Sequence, residues 1–135
     1  MDLNSAMSLA AAGMKVQAAR LRVTAENLAN AESTSRVPEG DPFRRKTVSF
    51  ADRRDTETGL SVVDIQRYGV DRSEFPLRYM PGHPAADAGG YVKYPNVNPL
   101  IELTDMREAQ RSYEANLNAM QLARSMIGRT LDLLR

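Results

Sequence analysis

The sequence contains no cysteine and only one histidine among its 135 residues. The absence of cysteine excludes disulfide frameworks, thiolate metal ligands and cysteine nucleophiles. Because His83 is the only histidine, a metal site built on a histidine pair is also excluded. No catalytic constellation is recognisable, so we expect no catalytic residues, no cofactor and no metal.

Strong net charge and long apolar runs are also missing. The 18 basic and 17 acidic residues give a net charge of +1, too little to recruit nucleic acid or an anionic membrane. No stretch of about 18 apolar residues is present, so we expect no membrane insertion. Near the beginning, the apolar stretch 6–14 follows Asp2 instead of a basic segment, so we expect no cleaved signal peptide.

Proline is absent from both ends of the chain. All seven prolines lie between Pro38 and Pro99, and seven of the eight aromatic residues lie between Phe43 and Tyr94. This distribution predicts two terminal helices around an irregular middle. The predicted fold is mainly α, with long N- and C-terminal helices paired as a coiled-coil-like layer and a small β-hairpin and loop region between them. The predicted regions are 1–33, 34–97 and 98–135.

The first predicted helix carries an apolar column with a seven-residue period. Alanines lie four residues after the first three members, which is typical of a helix packed closely along another helix. A second column lies on a different face, and either Asp2 or Asn4 can cap the helix. The first column is Met7, Met14, Leu21 and Leu28, with Ala11, Ala18 and Ala25; the second is Leu9, Val16 and Val23.

The second predicted helix repeats the same seven-residue interval. Asn98 followed by Pro99 predicts its start, because the asparagine accepts from free N–H groups and proline has none to satisfy. We expect a helix from about 99 to 134. Its column is Met106, Tyr113, Met120, Ile127 and Leu134, with Leu117 and Leu131 in the adjacent row.

These columns have two interpretations. They can belong to ordinary amphipathic helices of a small bundle, or to helices that neighbouring chains cover. The apolar area of the columns is small compared with the entropy lost in ordering two long helices. This imbalance favours neighbours from other chains, although two apolar faces are equally compatible with one larger fold.

The middle region predicts short strands over residues 43–50, 60–65, 77–80 and 91–94. The segment ADRRDTETG reads as a polar connection between the first two strands, which predicts a hairpin. Residues 36–97 contain 10 basic and 9 acidic residues in close alternation. We therefore expect this region to form solvated or contact surface and no core.

Two features of the middle region can be read as functional sites. His83 lies in the segment PGHP, where a turn role is favoured over catalysis. A basic cluster raises the possibility of nucleic-acid binding, but interleaved acidic residues favour a solvated hairpin. The basic residues are Arg44, Arg45, Lys46, Arg53 and Arg54, and the acidic ones are Asp41, Asp52, Asp55 and Glu57.

Four blocks of sequence carry a family resemblance. RLRVTAENLANAES, residues 20–33, resembles the N-terminal signature of the bacterial flagellar axial proteins, the rod, hook and filament-junction family. The blocks PGHP, GYVKYPNVN and RSYEAN lie within residues 79–135, a segment that closely resembles the proximal rod members of that family.

The resemblance implies a structural subunit of the basal-body rod that is not an enzyme. Its relatives pair their terminal helices in an inner layer and stack helically into a hollow shaft that transmits torque. The implied partners are copies of itself, other rod proteins, a rod-to-MS-ring adaptor and other basal-body components, with no nucleic acid. The implied location is the periplasm, reached by type III export without signal cleavage.

Together, the columns and the resemblance predict a set of subunit contacts. Asn27 and Asn30 flank Leu28 where the first helix ends, and we expect their amides to bind backbone or neighbouring chains. Tyr113 needs a partner for its hydroxyl if it is buried. The predicted interface residues are Met7, Met14, Leu21, Asn27, Leu28, Asn30, Met106, Tyr113, Asn116, Leu117, Met120, Ile127, Leu131 and Leu134.

Two other function classes compete with the rod interpretation. A helical adaptor or chaperone-like module would use the paired helices to bind an amphipathic segment of one client. A hydrolase would combine acidic residues with His83, but no partner spacing in the sequence supports it.

Overall fold

The computed structural model describes residues 2–134 and confirms the mainly α fold. Two long terminal helices pack against each other, and two short strand pairs lie between them in the sequence. The elements are α1 (Leu3–Ala29), β1 (Lys46–Arg54), β2 (Ser61–Val70), β3 (Leu77–Tyr79), β4 (Tyr91–Lys93) and α2 (Pro99–Leu133).

Both helices begin at side-chain caps. The Asp2 carboxylate accepts from the Ser5 N–H at 2.7 Å, and this bond lowers the pKa of Asp2 because it favours the charged form. The Asn98 side chain accepts from the Leu100 N–H at 3.1 Å, which confirms the predicted start of α2. No helix within residues 2–134 is both long and apolar enough to cross a membrane.

The chain forms two compact units. The first comprises the described residues up to Leu21, the segment Val48–Arg67 and the described residues from Arg107 onward. The second comprises Arg22–Thr47 and Tyr68–Met106. We refer to them as unit 1 and unit 2.

Unit 1 buries small side chains along its helices. At Gly13, an added Cβ would lie 2.7 Å from the Asn116 amide nitrogen, so the two helices approach closely at this point. The buried residues of this unit are Ala10, Val16, Ala19, Val62, Ala109 and Ala123. Small residues allow helix backbones to pack tightly but contribute little apolar area each.

The buried face of α1 differs from the predicted one. Val16 and Val23, which belong to the second column, are only 2% and 6% exposed. Ala11, Ala18 and Ala25, expected to line the seam, are exposed, while Met7, Met14, Leu21 and Leu28 are half-buried. The second column, with Val16 and Val23, is therefore buried more deeply within the chain than the Met7 column.

The β1–β2 hairpin is longer than predicted. Residues 51–54, expected as part of a polar connection, continue β1 to Arg54. The connection is confined to the six residues 55–60, where the Asp55 N–H donates to the Leu60 carbonyl at 2.8 Å and Gly59 has φ +70°. The strands of a solvated two-stranded ribbon can contain charged residues. The polar residues 51–54 therefore did not indicate the end of β1.

Unit 2 contains a second strand pair and a small core. β3 and β4 are antiparallel, with Arg78 opposite Val92 and Tyr79 opposite Tyr91. Ala85, Val92 and Tyr94 are buried together, so the expectation that the middle region has no core was wrong. Val92 and Tyr94 lie two positions apart, but Ala85 lies seven positions before Val92, so the three residues form no repeating pattern.

Candidate subunit interface

Asn27 fixes the end of α1 to the beginning of β1. Its side-chain oxygen accepts from the Lys46 N–H at 2.8 Å, and its side-chain nitrogen donates to the Lys46 carbonyl, also at 2.8 Å. The amide therefore satisfies both backbone groups of Lys46, as a neighbouring strand would. The same nitrogen lies 3.3 Å from the Glu102 carboxylate, and Asn27 is fully buried.

Asn30 closes the last turn of α1. Its side-chain nitrogen donates to the Glu26 carbonyl at 2.9 Å, and its side-chain oxygen accepts from the Ser33 hydroxyl at 3.1 Å. The Glu26 carbonyl also accepts from the Asn30 backbone N–H at 3.1 Å, so the side chain adds a second bond at the helix end. The expectation that Asn27 and Asn30 bind backbone is confirmed.

Glu102 is a fully buried carboxylate in the first turn of α2. It pairs with the Arg45 guanidinium and accepts from Asn27. A helix N-terminus carries partial positive charge, so a carboxylate in this turn is also stabilised by the helix dipole. The ion pair and the hydrogen bond together offset the cost of removing this charge from water.

Asn96 extends this network to the loop after β2. Its side-chain oxygen accepts from the Arg45 N–H at 2.8 Å, and its side-chain nitrogen donates to the Asp71 carbonyl at 3.0 Å. The Ser73 N–H donates to the Asp71 side chain and lowers the pKa of that carboxyl. We call the set Asn27, Arg45, Asn96 and Glu102 the polar junction.

The first two residues of the basic cluster, Arg44 and Arg45, make contacts within the chain. Arg44 donates to the Asp71 and Ser73 carbonyls and stacks over the Phe75 ring at 4.2 Å. Arg45 belongs to the polar junction. These two side chains are half-buried, so the expectation of a solvated hairpin fits Lys46, Arg53 and Arg54, which are exposed.

His83 has the turn role that its sequence context predicts. Its Nδ1 accepts from the Ala85 N–H at 3.0 Å, and its Nε2 lies 3.4 Å from the Thr34 hydroxyl. The backbone N–H of His83 donates to the Met80 carbonyl at 3.0 Å, which closes the turn. Within residues 2–134, no group of three or more histidine, aspartate or glutamate residues is arranged to hold a metal ion.

The predicted interface residues divide into three groups by exposure. Besides the helix-end asparagines Asn27 and Asn30, ten of them are half-buried: Met7, Met14, Leu21, Leu28, Met106, Tyr113, Asn116, Leu117, Met120 and Ile127. Leu131 and Leu134 are 60% and 80% exposed. Asn30 is half-buried, whereas Asn27 has no exposed surface and both of its polar atoms are used within the chain. Asn27 therefore has no surface and no unpaired polar atom left for a neighbouring chain.

Several exposed apolar residues were not singled out from the sequence. Leu122, Met126 and Leu133 are 64%, 46% and 87% exposed and lie on α2 at positions i, i+4 and i+11. This spacing places the three residues on one face of the helix, so the sequence does indicate a second apolar face, outside the heptad column. The Glu102–Arg45 pair had no such signal, because the two residues are 57 positions apart in the sequence.

Comparison with known proteins decides the family. The family model for the C-terminal region of flagellar basal body rod FlgEFG proteins matches residues 88–133. The chain is 50% identical over 133 residues to flagellar basal-body rod protein FlgC of Agrobacterium fabrum, covering 98% of this chain and 96% of the relative. The chain belongs to the FlgC family of flagellar basal-body rod proteins.

Two further FlgC relatives extend this result. The FlgC protein of Salmonella typhimurium is 39% identical over 135 residues, with 98% of each chain covered. That of Borreliella burgdorferi is 35% identical over 155 aligned positions, with 100% of this chain and 99% of the relative covered. Membership of the FlgC family confirms the resemblance to axial proteins. It makes the chain a structural subunit of the basal-body rod.

Proposed function

We propose that this FlgC-family subunit builds the proximal part of the rod by helical, head-to-tail assembly and transmits torque from the motor to the hook. Its partners are copies of itself, other rod proteins, a rod-to-MS-ring adaptor and further basal-body components. Head-to-tail contacts that do not close into a ring generate a helical shaft. The subunit acts without catalysis.

The observation that carries the proposal is the placement of large apolar side chains. The described core of unit 1 consists of four alanines and two valines, while its leucines and methionines lie at partly or fully exposed positions. On α2, Leu131 is 60% exposed and Leu134 is 80% exposed. Contiguous exposed apolar surface of this kind is typical of sites that another chain covers.

The same feature supports export before assembly. A subunit whose large apolar residues are buried only by its neighbours has a small core of its own, so it unfolds readily for passage through a narrow apparatus. We propose type III export without signal cleavage and assembly in the periplasm. A helical adaptor that binds one client would need a stable one-to-one complex, and no observation favours it.

Substitution of Leu131, an exposed residue of α2, tests the proposal. Leu131→Glu removes apolar contact area from a side chain that is already 60% exposed, so the subunit itself loses little packing. In cells that lack the wild-type copy, we expect this variant to be absent from isolated basal bodies and the cells to lose motility. The circular dichroism of the purified variant should match that of the wild type.

Thr130→Glu is the matched control, because it places the same charge on the adjacent exposed residue of α2. It should leave incorporation and swimming intact. Normal basal bodies and normal swimming with Leu131→Glu would contradict assembly through this helix. A wild-type subunit that forms only a soluble one-to-one complex with a rod protein would favour the adaptor.

A further inference from the structure

The solvent face of the β3–β4 pair presents a cluster of large apolar side chains in unit 2. Leu77 and Tyr79 lie on one strand, and Tyr91 lies opposite Tyr79 on the other. These three residues are 59%, 66% and 46% exposed. The two tyrosine rings meet edge to face with centroids 5.4 Å apart. We call Leu77, Tyr79 and Tyr91 the tyrosine face.

Exposed tyrosines in contact are unusual for a surface that faces water only. Tyrosine offers a large, stiff contact area at low entropic cost, and it is enriched at the centres of protein interfaces. The backbone preserves the arrangement: Gly90 has φ +82°, and an added Cβ would lie 2.8 Å from the Tyr79 ring. The turn before β4 therefore lets Tyr79 lie against the backbone at Gly90.

An acidic pocket adjoins the tyrosine face through Tyr91. The pocket has a volume of about 410 Å³ and is lined by Glu39, Asp87, Lys93 and the Tyr91 ring, among others. Lys93 is paired with Asp41 at 3.6 Å. Asp87 accepts from the Gly89 and Tyr91 N–H groups through one oxygen only. Within residues 2–134, no protein group pairs with the Glu39 carboxylate.

This combination defines the partner by its chemistry. An apolar face beside two carboxylates and an aromatic ring suits an apolar segment that also carries a guanidinium group. The carboxylates can accept from the guanidinium while the ring and its neighbours cover apolar side chains. A purely apolar partner would leave the carboxylates desolvated and unpaired.

The C-terminal part of α2 carries a stripe with these properties. Leu122, Met126, Arg129 and Leu133 follow one another at i, i+4, i+7 and i+11, which places them on one face of the helix. The three apolar members are 46% to 87% exposed. Arg129 is exposed, and no group within residues 2–134 pairs with it. We call these four residues the Arg129 stripe.

We propose that the Arg129 stripe of one subunit docks on the tyrosine face of a second copy, with Arg129 in the acidic pocket beside Glu39 and Asp87. The contact is head-to-tail, because the two surfaces are different parts of the chain, and it can therefore repeat along a shaft. This inference rests on the proposed assembly of the rod and names one contact within it.

The absence of native cysteine permits a specific cross-linking test. Two tagged copies of different size, one with Leu77→Cys and one with Met126→Cys, are expressed in the same cells, and isolated basal bodies are oxidised. Since a disulfide requires Cα atoms within roughly 7 Å, a heterodimer forms only if the two surfaces meet. We expect the heterodimer, and we expect no homodimer from either variant alone.

Thr104→Cys replaces Met126→Cys in the control pair, because Thr104 is an exposed residue elsewhere on α2. Equal heterodimer formation in the control pair would overturn the proposal. So would the absence of heterodimer when both variants are present in basal bodies, and this outcome would leave the role in the rod intact. Failure of the wild-type subunit to enter basal bodies would instead overturn the proposed function.

Charge reversal decides the case if the cysteine variants are not incorporated. Glu39→Arg and Arg129→Glu should each reduce the swimming radius, and the double variant should recover most of the loss. Glu57→Arg, which reverses an exposed acidic residue in the hairpin turn, is the control and should not be rescued by Arg129→Glu. Single variants that swim normally, or a double variant that is no better than either single one, would overturn the proposal.

Discussion

Unit 1 and unit 2 hold their helices in place by different means. In unit 2, Asn27 and Glu102 are fully buried and hydrogen-bonded, and they join the end of α1, the start of β1 and the start of α2. In unit 1, the helices bury alanines and valines, and the polar contact between Arg20 and Glu108 is exposed. One unit is specified by directional bonds, and the other by close packing of small residues.

This difference separates two tasks of a shaft subunit. A buried polar group is satisfied in only one arrangement, so the polar junction fixes the geometry with which the chain leaves its helices. A seam of small residues tolerates modest sliding and contributes little apolar burial, which leaves large side chains available to neighbours. Unit 2 is therefore held by directional bonds of its own, whereas the proposed assembly would bury the large side chains of unit 1.

The largest expected effect comes from breaking the polar junction with Glu102→Ala. The substitution removes the carboxylate that pairs with the Arg45 guanidinium and accepts from Asn27. Arg45 keeps Asp71 at 3.9 Å, but one Asn27 donor is left buried without a partner, which costs about 1–3 kcal/mol. Hydrogen exchange of the purified subunit should show a matching loss of protection in Arg22–Thr47 and Tyr68–Met106. Protection in unit 1 should fall much less.

Glu108→Ala provides the control for that experiment. Glu108 pairs with Arg20 at 3.4 Å, but its side chain is 63% exposed, and exposed ion pairs contribute about 0–1 kcal/mol. Equal losses of protection from the two substitutions would contradict the distinction between the units. A loss confined to unit 1 with Glu102→Ala would contradict it more strongly.

The sequence predicted the helices well because their information is local. Heptad spacing predicted both helices. Asn98 predicted the start of α2, and Asp2 was one of the two caps expected for α1, since a cap depends on residues only two or three positions away. The polar junction was only partly predictable. Asn27 was marked by its position near the helix end, but its partner Lys46 lies 19 residues away and Glu102 lies 75 residues away.

The choice between apolar columns also exceeded what local pattern can decide. The Met7 and Val16 columns have the same period, and the sequence does not show that the face with Val16 and Val23 is the one turned inward, where the helices approach closely at Gly13 and Asn116. Larger side chains at the same crossing would hold the helices apart. A sequence-based choice that favours large apolar residues as core therefore selects the column that the chain leaves half-buried.

A smaller effect is expected from Gly13→Ala, which tests the close packing of unit 1. Alanine stabilises a helix interior by up to about 1 kcal/mol relative to glycine. Here the added Cβ would lie 2.7 to 2.9 Å from three side-chain atoms of Asn116, whose amide donates to the Ser112 carbonyl. Because this side chain must move and give up its bond, we expect net destabilisation by about 1 kcal/mol, measured by urea unfolding.

Gly128→Ala is the matched control on α2, because an added Cβ there meets nothing within 4 Å. It should stabilise the subunit by up to about 1 kcal/mol through helix propensity alone. If both substitutions stabilise the subunit equally, the helices do not approach closely at Gly13. The difference between the two variants therefore measures the packing of unit 1 with the backbone effect removed.

The smallest expected effect is an acid-induced loosening of the hairpin turn in unit 1. The Glu57 and Thr58 N–H groups donate to the Asp55 carboxylate and lower its pKa. Because the pKa of Asp55 is lower in the folded state than its unfolded value of about 3.9, the ionised carboxylate stabilises the turn at pH values above about 3.9. This stabilisation is lost as the pH falls from about 3.9 through the folded-state pKa. Hydrogen exchange of the Glu57 and Thr58 amides should therefore lose protection in this pH range. Asp55→Asn should abolish the pH dependence because asparagine does not titrate, and equal pH dependence in both proteins would assign it to another carboxylate.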